Sequence, residues 1–120
     1  MISNDIRNAR ALESIDSMKA KFILDFKTAY TEYHKNIQLS AYYSKSGKVE
    51  LAESYDKASD RWEQRLSYVR DILTYMFDVS SDELKPIAKG AWKTVVAEVP
   101  SLRGTVEEYI QKIDEPTAEE

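Results

Sequence analysis

The sequence predicts an all-α fold, a helical bundle. It comprises one long antiparallel helical hairpin, two shorter C-terminal helices packed on it, and a disordered acidic tail. Three observations predict it. Apolar residues recur at spacings of three and four along almost the whole chain, the period of a helix with one buried face. Glycine and proline, three of each in 120 residues, fall mostly where that period breaks. No stretch alternates apolar and polar residues as a half-buried strand would, and the β-branched pair Val95-Val96 lies inside a helical stripe.

The first helix is expected over roughly residues 5–43. Placed at 100° steps, Ala11, Leu12, Ile15, Met18, Phe22, Ile23, Phe26, Ala29, Tyr30, Tyr33, Ile37 and Ala41 fall on one arc, with no glycine or proline between them. Ser44-Lys45-Ser46-Gly47 is the breaker, with Gly47 suited to the left-handed conformation that ends helices. The second helix follows at once, over 49–77, on an arc running from Leu51 through Trp62 and Leu66 to Phe77. A short link between two long amphipathic helices makes an antiparallel hairpin.

Asp78 to Glu83 interrupt the pattern, and Ser80 followed by Glu83 fits a capping box. Pro86 favours a first-turn position, which places the start of the third helix near Lys85. Its stripe runs from Leu84 to Val99, and Gly90 within it suggests a close helix approach beside Trp92. Pro100 ends this helix and Ser101 caps a short fourth one bearing Leu102, Val106, Tyr109, Ile110 and Ile113. Residues 1–113 thus form one helical domain. Residues 114–120, DEPTAEE, form the tail.

That tail carries the whole net charge of −4, leaving a body with 17 basic and 17 acidic residues. A neutral body gives no strong field for steering nucleic acid or an anionic membrane. No apolar run is long enough to span a bilayer, and the first 20 residues carry charges throughout, so a cytoplasmic location is expected. The first helix has only a small basic excess, and membrane binding is not expected.

The same inventory excludes much chemistry. The absence of cysteine removes disulfides, thiolate metal sites and cysteine nucleophiles. The single histidine, His34, cannot complete a two-imidazole metal site, and it reads as a surface residue on the polar side of the first helix. Gly47, Gly90 and Gly104 are isolated, so no phosphate-cradling loop can be written. Asp56, Asp60 and Glu63 are interleaved with Lys57, Arg61 and Arg65, the pattern of a solvated helix face. A non-enzymatic protein with no metal and no cofactor is the expectation.

Binding is the remaining class. Eight tyrosines is a high count, and several lie off the core arcs. Tyr68 and Tyr75 share one flank of the second helix with Ile72, while Leu39, Tyr42 and Tyr43 lie near the hairpin tip. These five, Leu39, Tyr42, Tyr43, Tyr68 and Tyr75, are the candidate partner-binding residues, because tyrosine combines apolar area with a polar end. The tip group is of special interest because short helices do not reach far along a hairpin more than ~40 Å long. Apolar face left uncovered by the short helices is expected to find a second copy, so a homo-oligomer is expected too. The alternative is a nucleic-acid accessory role for Lys85, Lys89 and Lys93, spaced i, i+4, i+8 beside Trp92. Against it, the last two helices read as a helix-turn-helix would turn Glu107 and Glu108 toward the phosphates.

Overall fold

A computed structural model describes the backbone of residues 4–99 and the side chains of residues 11–99. The expected fourth helix and the acidic tail lie outside the described residues. Within them the fold is all-α, with α1 over Asn4–Lys45, α2 over Val49–Phe77 and α3 over Ser81–Glu98. The molecule measures 69 Å along its longest axis, and α1 at 1.5 Å per residue spans about 63 Å of it.

The hairpin turn is built as its residues dictate. Gly47 takes φ +79°, where an L side chain would be strained. The Ser46 and Lys48 amides donate back to the Tyr42 and Tyr43 carbonyls at 3.1 and 2.9 Å, satisfying the end of α1. At the other end of α2, Asp78 adopts the left-handed conformation at φ 55°, which Asp tolerates better than most residues. Its amide and that of Val79 both return to the Leu73 carbonyl.

The third helix corrects one expectation. It starts at Ser81, a turn before Lys85, and Pro86 lies inside it. The capping box explains the early start. The Ser80 hydroxyl accepts from the Glu83 amide at 3.2 Å, and the Glu83 carboxylate accepts from the Ser80 amide at 2.8 Å. That reciprocal pair fixes the first turn firmly enough to absorb the amide that Pro86 lacks. At the far end Val99 is extended, at φ −106° and ψ 109°, as the residue before Pro100 must be.

α1 is the spine. It packs antiparallel to α2 on one side and carries α3 on another. The order of the α1–α3 contacts shows that these two helices run parallel. Gly90 lies beside Lys27, Trp92 beside Tyr30 and Glu98 beside Lys35. The main core sits where all three helices meet, with Phe26 and Ala29 from α1, Leu66, Val69 and Leu73 from α2, and Leu84 from α3. A second, smaller core of Trp92, Val95 and Val99 continues toward the hairpin tip, and Tyr30 packs against both.

The stripe on α1 is buried over only part of its predicted length. Phe22 meets Phe77, the last residue of α2, with ring centroids 5.9 Å apart. Below that contact no α2 faces α1, and Leu12, Ile15 and Met18 are 62%, 49% and 50% exposed.

Candidate interaction surfaces

His34 corrects the reading of a surface histidine. It lies half-buried in an aromatic box, 4.4 Å from the Tyr30 ring, 4.9 Å from Tyr33 and 4.6 Å from Trp92, centroid to centroid. The box is fixed by a hydrogen bond from Trp92 Nε1 to the Tyr30 hydroxyl, 3.0 Å. Burial penalises the imidazolium, and the His34 pKa falls from 6.5 to about 4. The same burial raises the Tyr30 pKa, with the Trp92 hydrogen bond acting in the opposite sense. A neutral imidazole among three rings is a packing element of the α1–α3 contact. α3 supplies Trp92 to what the sequence alone presents as a polar flank of α1.

The two off-arc tyrosines of α2 face outward. Tyr68 is 57% exposed and Tyr75 is 83% exposed, with Met76 beside it at 72%. Arg65 lies over the Tyr68 ring at 5.8 Å while pairing with Asp25 of α1 at 3.3 Å. The flank therefore presents two tyrosines and a methionine, with Ile72 half-buried between them.

The tip group divides. Leu39 is half-buried and packs against the Trp92–Val95–Val99 core, so α3 reaches further up the hairpin than its length alone suggests. Tyr43 stacks on Tyr55 across the hairpin, 5.5 Å apart and within 8° of parallel, with Lys48 over its ring at 5.8 Å. Tyr42 leans edge-on against Tyr43 and is 41% exposed. Of the three, Tyr42 alone offers a largely open ring.

The lysine stripe on α3 is uneven. Lys85 is half-buried and pairs with Asp82 at 3.3 Å, Lys89 is half-buried, and Lys93 is exposed. Lys35 of α1 pairs with Glu98 at 3.1 Å and Glu32 at 3.8 Å, and the Glu98 contact raises its pKa.

Sequence reasoning places Leu12, Ile15 and Met18 in the core stripe and does not single out the overhang of α1 as a surface. Beside them, a groove of about 380 Å³ runs between α1 and α3, lined by Ile23, Leu24, Pro86, Ile87 and Gly90 among others. The glycine does not create close approach: a Cβ there would lie 3.8 Å from Lys27 Nζ, an ordinary contact.

Asp56, Asp60 and Glu63 are exposed. Among the described residues no group of three or more acidic or imidazole side chains is arranged to hold a metal ion. No described helix is long and apolar enough to cross a membrane. Comparison with protein-family models, with curated proteins and with solved structures finds no match to this chain.

Proposed function

We propose that this protein is a non-enzymatic accessory protein of the cytoplasm, an adaptor, inhibitor or chaperone-like factor, that acts by binding another protein and self-associates. The observation that carries the reading is the outward flank of α2, where Tyr68, Tyr75 and Met76 stand 57%, 83% and 72% exposed with no role in either core. Tyrosine and methionine are enriched in interfaces, tyrosine because it buries much area with few rotatable bonds, methionine because its flexible thioether adapts to the surface it meets. The uneven exposure of Lys85, Lys89 and Lys93 makes a phosphate-tracking stripe the weaker reading.

The test is capture by the tagged full chain from lysate, with and without nuclease, for the parent and for Tyr68→Ser/Tyr75→Ser. A stoichiometric protein that survives nuclease and binds the double variant at least about tenfold more weakly supports the reading. Circular dichroism of the variant should be unchanged, since neither ring is in a core. Recovery of nucleic acid, released by Lys85→Glu/Lys89→Glu/Lys93→Glu and indifferent to the tyrosines, overturns it.

A further inference from the structure

The two halves of α3 are held by different neighbours, and Gly90 lies between them. Below it, Leu84 and Ile87 pack into the three-helix core with Leu66, Val69 and Leu73 of α2, and the Ser80–Glu83 capping box fixes the first turn. Above it, Trp92, Val95 and Val99 pack with Tyr30 and Leu39, both from α1, and no described residue of α2 joins that second core. Gly90 has no packing reason to be glycine, since a Cβ there would meet only the Lys27 side chain, 3.8 Å away. In mid-helix it is a weak point, because glycine loses more backbone freedom on ordering than any other residue.

The upper half is docked against a titratable group. Trp92 closes the aromatic box on His34. The imidazole makes ring contacts with Tyr30, Tyr33 and Trp92 and no hydrogen bond or ion pair among the described residues. No buried side-chain nitrogen or oxygen lacks a partner, so the unbonded ring nitrogens of His34 reach water and a proton can arrive without prior opening. The charged groups around the box give an imidazolium no partner. Lys35, beside His34 on α1, is held by Glu98 and Glu32. Asp60 and Glu63 of α2 act on Tyr33, and Arg70 acts on Tyr30. On α3, Lys89 and Lys93 stand either side of Trp92 in the sequence.

We infer that residues 91–99 form an acid-released arm, hinged at Gly90, docked on α1 while His34 is neutral and loosened when it is protonated. Burial alone sets the sense: His34 titrates at about 4 in the closed box and near 6.5 outside it, so docking favours the neutral ring. That contribution is whole above pH 6.5 and is lost as pH falls toward 4. By pH 4.5 the open population should rise at least about tenfold over pH 7, after attraction of the imidazolium to the surrounding rings has offset part of the burial cost. Opening uncovers Trp92, Val95 and Val99, which are 8%, 0% and 1% exposed when docked. Acid thereby presents an apolar surface distinct from the α2 flank.

Native-state hydrogen exchange of the full chain at pH 7 and pH 4.5, each amide corrected for its intrinsic rate, reads the opening. Protection of the amides of residues 95–99 should fall at least about tenfold at pH 4.5, with the Val69 amide protected as before. His34→Phe keeps a ring in the box and His34→Gln removes it. Neither side chain titrates, so in either variant the pH effect on residues 95–99 should vanish. Gly90→Ala should raise protection of the arm at both pH values and leave their ratio unchanged, because it stiffens the hinge without touching the trigger. The sole imidazole also gives one proton resonance, whose midpoint should lie well below 6.5. A midpoint at or above 6.5, arm protection indifferent to pH, or an equal fall at Val69 or in the His34 variants overturns the inference. Arm protection unchanged by Gly90→Ala overturns the hinge.

Discussion

The two ends of the hairpin solve the same packing problem with different residues. At the tip, α1 and α2 approach through small and polar side chains. Ser40 Oγ donates to the Ala52 carbonyl at 3.0 Å, and the stacked Tyr43 and Tyr55 rings close the end. At the base, Phe22, Phe26, Leu73 and Phe77 fill the space with hydrocarbon, and Leu84 of α3 closes it. Beyond Leu39, where the α3 contact ends, the tip is therefore a two-helix contact with few large apolar groups. The base needs three helices, and one turn beyond Phe22 α2 no longer reaches α1. An amphipathic stripe of constant spacing does not imply constant burial. The partner's length decides where the stripe becomes surface.

The largest expected effect breaks the base. Leu73 is fully buried between α1, α2 and the Val79 turn. Leu73→Ala should cost about 2–5 kcal/mol by lost transfer energy and residual cavity. Urea denaturation checks this, and a much smaller loss would mean that the base is no better packed than the tip.

His34 tests the contact between the two cores. Its pKa is about 4 in the fold and near 6.5 when free, so folding favours the neutral ring. For a depressed histidine the contribution is whole above pH 6.5 and is lost as pH falls from 6.5 toward 4. By pH 4.5 the loss should approach about 2 kcal/mol after allowing for partial solvent screening. Carboxylates titrate in the same window, so the measurement is a difference. The parent and His34→Phe are unfolded in urea at pH 7 and at pH 4.5, and the parent should lose more than the variant by that amount. Equal losses would place the imidazole in solvent.

Much of this architecture is legible in the sequence. The period of three and four, Gly47 at the turn and Pro100 at the stop give all three described helices, and the bounds of α2 coincide with those expected, Val49 to Phe77. The start of α3 is less legible because two local rules compete at Ser80 and Pro86, and the capping box outweighs the proline. The overhang follows from subtraction, since a long helix tied by a short turn to a shorter one leaves its excess at the free end. What subtraction does not give is which neighbour reaches where. α3 lies parallel to α1 and carries Val99 up to Leu39, so one residue expected at a partner surface belongs to the core. His34 is illegible for the same reason. Its box is assembled by Trp92, far along the chain, and helical spacing within α1 says nothing about that ring.

At the tip the expected effects are smaller. Ser40→Ala removes the hydrogen bond between α1 and α2 and should cost about 1 kcal/mol. Hydrogen exchange should show the loss as faster opening of the tip amides, with the amides around Leu73 protected as before. If protection around Leu73 falls equally, tip and base unfold as one unit and the contrast between them is structural without being energetic.

The smallest effect has the opposite sign. Gly90 sits mid-helix in α3 with the Lys27 side chain as its nearest neighbour, 3.8 Å from where a Cβ would be, and with an ordinary helical backbone. No steric reason for glycine is present, and the site carries the entropic cost of glycine in a helix. Gly90→Ala should therefore stabilise the protein by about 0.5–1 kcal/mol, read as a rise in the urea midpoint at unchanged m-value. Lys27 Nζ is the mobile end of a flexible chain and can yield at little cost, so contact with the new methyl does not cancel the gain. A loss of stability instead would show that α3 lies too close to α1 at Gly90 for a methyl to fit, and that the groove bordered by Leu24 and Ile87 is held open by the missing side chain.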